Sequence, residues 1–445
     1  MQKRVSSRMM AATLLILAVT PAVLAWEHHP LITQPVVSTM PEVAYAIPTM
    51  ARTLEDFLLA EEEGIAALLA QEEEWAKANL AWYAPCPVTL RFEADGNGDT
   101  IRERFFRAIR VNPTMKTPLY LCSLAGAKTA KRQIAPSDVS ILEDTSNLSI
   151  FDFLGVEAGD LVHPADIVTT ASNEPDYGLD VGLFEDNGTA FGLEYGFGIQ
   201  PFGNPNLDFG SQAPFHMGFY HESKIVFFFA SFLKQSYPEY RIHLFKSLSE
   251  YAFAHGEYYW GWRFMGWGLH YMADLSMPYH TTVLPGYSTI RMLIINLLNM
   301  LGWTTPQENA LQLVSNRHMA LEIFEGDLLA QATQDHNTLD TVMAALMQPR
   351  EIPAYTDDIP RGRLAEASHG MSKQVDKEIA KYMPSEFVSD PDVELMGLEE
   401  RYQLVEMIEA DYGPGAVNTL NRMNASLLSS FAVYGRSYVL AILSE

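Results

Sequence analysis

In the segment GWGLHYMADLSMPYH, His270 and Asp274 stand four residues apart. On a helix that spacing puts an imidazole and a carboxylate on one face, aimed at one point. Pro278 ends or kinks such a helix, and His280 follows it, able to turn toward a neighbouring point. A second pair, His318 and Glu322 in NRHMALEIFEG, repeats the spacing. Each pair alone also fits an ordinary helix ion pair. Two pairs in nearby helices, with a third His after a proline, point to metal ligation. Further donors bracket a Gly-rich stretch: Asp176 in EPDYGLD, with Asp180 as its alternative, and His216 in FHMGFY, with His221 as its alternative. His28 and His29 lie near the N-terminus, and the only cysteines are Cys86 and Cys122, so a thiolate cluster is excluded. Imidazole and carboxylate donors without sulfur suit catalytic Zn²⁺, whose sites keep a position open for water.

The N-terminus adds a donor of another kind. Residues 1–25 read as a secretory signal: Lys3, Arg4 and Arg8 come first, then the apolar Ala11 to Val19, then a small-residue exit with Val23 and Ala25 at the −3 and −1 positions. An uncleaved anchor is the alternative, but the apolar core is shorter than the roughly 18 residues a spanning helix needs. Cleavage would place the protein in the periplasm or outside the cell. It would also make Trp26 the first residue, whose free α-amino group and carbonyl can chelate a metal together.

Taken in order, these elements resemble the zinc-dependent phospholipase C and single-strand nuclease superfamily. The motifs are Trp26 at a signal cut with a nearby His, a loop Asp and His, HYxxDxxxPxH, then HxxxE, and they span Trp26 to Glu322. The resemblance implies a mainly α fold, a single helical domain over 26–445 that binds three Zn²⁺ ions. One zinc would take Asp176, His216, His270 and Asp274. A second would take the Trp26 amino and carbonyl groups, His29 (or His28), and Asp274 as a bridging carboxylate. The third would take His280, His318 and Glu322. Asp176, if it touches the attacking water, would also act as general base. After His280 the chain reads TTVL, without the Asn of the smaller bacterial phospholipases. Together with an insertion at about 82–167, that departure places the resemblance in a divergent, larger bacterial branch.

Several elements must position these residues. Leu54 to Leu80 has apolar residues at helical spacing and Glu runs opposite, which predicts a solvated amphipathic helix. Trp82 to Ile167, with six prolines and both cysteines, predicts an irregular, partly β insertion. Its DGNGDT reads as a surface turn, because the twelfth position of a calcium loop would be Phe106 instead of Glu. An exported chain with two cysteines would join Cys86 to Cys122, two unpaired thiols being the alternative. Thr170 to Gly218 predicts a long functional loop. From His221 onward the pattern is helical, with Tyr259 to Ser276 carrying the first His–Asp pair. The aromatic run Tyr258 to Trp267 reads as core packing around it. His163, His243, His255, His336 and His369 have no partner at ligand spacing and read as surface or core histidines.

Composition narrows the function. The chain has 445 residues, 48% of them hydrophobic, which excludes a disordered protein. Its formal charge of −25 becomes about −28 once the leader is removed, so a field that holds nucleic acid by blanket attraction is excluded. Zinc clusters on a phosphate ester imply hydrolysis, since zinc lowers the pKa of bound water to about 7. A phospholipase C releasing diacylglycerol is favoured over a single-strand nuclease, because the acidic surface repels a long polyanion. The apolar MLIINLLNMLGW (Met292 to Trp303) fits either an exposed flap at a lipid surface or an ordinary buried helix. A non-catalytic exported metal-binding protein is the third reading, and no obligatory protein partner is expected.

Overall fold

The computed structural model describes residues 28–126, 132–205, 208–348 and 350–444. The expected signal segment and Trp26 lie outside them. The fold is mainly helical, as the periodicity implies. The helices used below are α1 (His29–Val37), α2 (Glu62–Asn79), α3 (Pro164–Ala171), α4 (Lys224–Phe229), α5 (Pro238–Ala254), α6 (Tyr258–Asp274), α7 (Pro278–Thr281), α8 (Thr289–Met300), α9 (Thr305–Gln334), α10 (Thr341–Met347), α11 (Glu366–Tyr382) and α12 (Pro414–Leu443).

The fold is built around α6. Every residue from Tyr259 to Asp274 is buried, so the aromatic run is core apart from the exposed Tyr258. Helix α6 packs against α5, α3, α12 and α1, and its glycines permit that crowding. A Cβ at Gly266 would lie 2.7 Å from the Val168 carbonyl oxygen and 2.6 Å from the Ala171 Cβ on α3. A Cβ at Gly268 would lie 1.8 Å from the Tyr438 hydroxyl on α12. Small residues here bring backbones within a distance no larger side chain allows. Helix α12, which also packs on α10, is among the described residues the one helix long and apolar enough to cross a membrane, and 61% of its most apolar window is buried in the fold.

Two expectations change. The helix expected over Leu54 to Leu80 is broken at Glu61, giving Leu54–Ala60 and then α2. Its Glu run is not wholly solvated either: Glu72 accepts from His243 Nδ1 at 2.8 Å, and Glu73 accepts from the Tyr83 hydroxyl at 2.7 Å. The region 82–167 is partly β, but it is knitted into the domain. After the short strand β1 (Thr49–Met50), strands β2 (Tyr120–Leu124), β3 (Gln133–Ile134) and β4 (Phe151–Gly155) form an antiparallel sheet in the order β2-β4-β3, and β2 packs on α3. Thr49 pairs with Val162 and Met50 with Leu161, tying the region's end to the chain before it. Helix α3 already begins at Pro164.

The expected Cys86–Cys122 disulfide does not form, and both residues are free thiols. Cys122 is held in β2 opposite Phe153, with its amide donating to Thr170 Oγ1. Cys86 is held elsewhere, its amide donating to Glu73 beside α2. Each position is fixed by its own backbone partner, so neither is drawn to the other. The DGNGDT turn is closed by Asn97, which accepts from the Asp99 amide, and Arg104 supplies the cation that meets Asp95 at 2.8 Å.

Candidate metal centre

Three local devices deliver the donors. Helix α1 starts at His29, with Pro30 in its first turn, and buries His29 completely. After α3 the chain turns through a short 3₁₀ segment, Glu174–Tyr177, that holds Asp176. A single helical turn, Ala213–His216, ends the long loop at His216. Opposite them, the C-terminal turn of α6 presents His270 and Asp274. Pro278 then opens α7, so that His280 is swung onto the neighbouring helix α9 with His318 and Glu322.

These residues converge in three groups whose donor atoms lie within 4.8 Å of one another: Asp176, His216 and His270; His29, His270 and Asp274; His280, His318 and Glu322. All are buried. The first two groups share His270, and Asp274 reaches into both. Its Oδ2 accepts from His216 Nδ1 at 2.9 Å and lies 3.5 Å from His270 Nε2, while its Oδ1 lies 3.4 Å from His29 Nε2. Asp176 spans the same gap, with Oδ2 3.7 Å from His29 Nε2 and Oδ1 3.7 Å from His270 Nε2. In the third group His318 Nε2 sits 2.6 Å from Glu322 Oε1. The His280 and His318 rings are 5.0 Å apart.

Hydrogen bonds around the groups fix which ring nitrogens face inward. His270 Nδ1 donates to the Ser172 carbonyl at 2.8 Å, and His280 Nδ1 donates to the His216 carbonyl at 2.9 Å. A carbonyl only accepts, so each Nδ1 carries the proton and each Nε2 turns a lone pair to the cluster. The Nε2 atoms of His29 and His280, with Asp176 Oδ2 and Asp274 Oδ1, are buried without a hydrogen-bond partner. Leaving such atoms bare is unfavourable, and a cation among them would remove the penalty. The donor set therefore fits a metal.

Charge tells the same story. Burial pushes the Asp176 carboxyl up to about 7. Asp274 is equally buried, yet His270, His216 and His29 hold its carboxyl far below the usual carboxylate range. Burial alone would lower His216, but Asp180 and Asp274 raise it to about 10. Burial pulls His280 down to about 4, and it takes His270 and His318 well below their usual value, the former helped by His29 and the latter by His280. The neutral imidazoles of His270, His280 and His318 beside carboxylates are what a cation binds, whereas His216 would have to release its proton to ligate one.

The ambiguous positions separate cleanly. His29, and not His28, belongs to the groups, and the His28 ring lies 5.5 Å from that of Phe151. His221 bonds the Arg361 carbonyl at 2.7 Å, which leaves His216 at the cluster. Asp180 is behind His216 instead of in Asp176's place, with Oδ2 3.5 Å from His216 Nε2. None of His163, His243, His255, His336 and His369 enters the three groups. The backing residues escaped the sequence reading. Arg241 donates to Asp180 from Nε and Nη2, at 3.0 and 2.6 Å, and the Tyr271 hydroxyl donates to Asp180 Oδ2. Gln212 Nε2 donates to Asp176 at 3.3 Å, and Arg263 grips Glu174 with two bonds. Their signal, an arginine inside an otherwise apolar helix pattern, was present but named no partner.

Compared with known protein families, curated proteins and solved structures, the chain has no match in any of the three.

Proposed function

We propose that the chain is an exported zinc-dependent phosphodiesterase, a phospholipase C acting on glycerophospholipids. The observation that carries this reading is the sharing of His270 and Asp274 between two buried donor groups, with a third group close by. Asp176, His216, His270 and Asp274 would hold one ion, His29 and Asp274 a second with the Trp26 terminus, and His280, His318 and Glu322 a third. When bound, such ions supply Lewis-acid charge and a water that ionises near neutral pH. The chain's own residues do the rest. Asp176, with Oδ2 free of any hydrogen bond, would take the proton from the attacking water. The Ser172 and His216 carbonyls keep the ligand imidazoles in one tautomer, and burial keeps bulk water from screening the site. Lipid is preferred to polynucleotide because a formal charge of −25 disfavours a long polyanion.

Parallel assays on phosphatidylcholine and on single-stranded DNA, each with and without a chelator, test the reading. Chelator-sensitive release of diacylglycerol supports it. Hydrolysis of DNA alone would make the protein a nuclease, and hydrolysis of neither would leave a non-catalytic metal-binding protein.

A further inference from the structure

The chain between the third group's donors carries a feature that catalysis does not use. Helix α8 buries only Ile295. Ile290, Ile294, Leu297 and Leu301 form one stripe at helical spacing on its open side, followed by Trp303, 70% exposed. Helix α4 lies alongside and projects Phe228, 80% exposed. A groove between the two is lined by Phe229, Ala230 and Leu233 on one side and Met292, Ile295 and Asn296 on the other. Exposed apolar side chains gathered on one short helix, beside an apolar groove on its other side, mark a binding face.

Charge indicates what covers it. In a chain of formal charge −25, Ser223 to Gln235 and Thr281 to Gln307 contain Lys224, Lys234 and Arg291 and no Asp or Glu. A polar recess beside the groove, lined by His221, Thr282, Arg291, His369 and Lys373, adds cations at the rim. The recess has one carboxylate, Glu222, which accepts from the Val283 amide at 2.8 Å. Leu284, Thr289 and Met292 line both the groove and the recess, so the two are continuous. An apolar stripe with a terminal Trp, on a helix too short to span a bilayer and edged by basic residues, matches a helix lying in a membrane interface. A second copy would bring the same cations against this face.

We infer that α4 and α8 form a docking surface for anionic phospholipid bilayers, with apolar side chains entering the interface and Arg291 and Lys373 meeting headgroup phosphates. The purpose of the surface rests on the phospholipase reading, but docking itself is measured without hydrolysis. The test is co-sedimentation of the purified full chain with phosphatidylcholine vesicles, with and without phosphatidylglycerol. The native protein should bind, more tightly when phosphatidylglycerol is present and less tightly as salt rises. The double variant Ile294→Glu, Leu297→Glu should lose at least about tenfold in partitioning, since each side chain forfeits its transfer to the interface. Its melting temperature should hold, both positions being exposed, and Phe228→Ser provides an independent variant on the other helix. Docking is overturned if the native protein ignores both vesicles, if the double variant binds as the native protein does, or if the face joins two copies that the variant separates. Vesicle binding without hydrolysis of any phosphodiester would retain the docking surface and remove the phospholipase reading. Hydrolysis without vesicle binding would do the reverse.

Discussion

Replacing Arg241 with Met should expose how strongly the buried shell behind His216 is coupled. The guanidinium is fully buried and meets Asp180 Oδ1 from Nε at 3.0 Å and from Nη2 at 2.6 Å. It also donates to the Ile109 and Arg110 carbonyls at 2.7 and 2.8 Å. Removing it takes the counter-charge from a buried carboxylate that keeps the Tyr271 hydroxyl, and it strands two buried carbonyls. Losing one partner of a buried ion pair costs about 3–5 kcal/mol, mostly for the charge left behind. Asp180→Asn makes the opposite error, leaving the guanidinium without its counter-charge, and should destabilise by a similar amount. The double variant removes both charges and should be better than the sum of the singles by about 2–3 kcal/mol. Urea unfolding of the four proteins at matched metal content measures this cycle. The reasoning fails if the two effects simply add, or if Arg241→Met unfolds at the native urea midpoint.

The metal groups make a graded prediction. Asp274→Asn should lose the metals of the two joined groups and retain that of His280, His318 and Glu322, whereas His318→Gln should lose only the latter. Elemental analysis of the purified variants decides it, and activity should fall by about 100-fold or more in Asp274→Asn, because even an outer-shell partner is worth about 10–100-fold. Gly266→Ala should destabilise by about 1–3 kcal/mol, because its Cβ would press on the Ala171 Cβ and the Val168 carbonyl oxygen, at 2.6 and 2.7 Å; an unchanged thermal melt would show that α3 and α6 separate easily. Both cysteines should titrate as thiols after unfolding without reductant, and only slowly in the native protein, since burial raises the Cys86 and Cys122 thiols. No thiol after unfolding would reinstate the disulfide.

The donors of the centre were legible because their spacing is local. His270 and Asp274 share a helix face at any helix position, and Pro278 announces the turn that delivers His280. Long helices such as α9 and α12 were legible for the same reason. What the sequence concealed is non-local. Glu61 breaks a helix that periodicity runs through, and Glu72 and Glu73 are buried because His243 and Tyr83 lie opposite them in space. The choice between His28 and His29, one residue apart, depends on the direction α1 takes, which no spacing rule contains. Arg241 finds Asp180 from 61 residues away. Met292 to Trp303 could be buried or exposed on apolar content alone, and the fold leaves its stripe open because α8 packs mainly on α9 and turns its remaining face outward.

The central claim is that the three buried donor groups hold zinc. Anomalous diffraction collected on either side of the zinc edge, from crystals of the protein purified without added metal, tests it most directly. Three edge-dependent peaks, two flanking Asp274 and one between His280, His318 and Glu322, are the predicted result. Well-ordered side chains at these positions with no zinc-edge signal would contradict it.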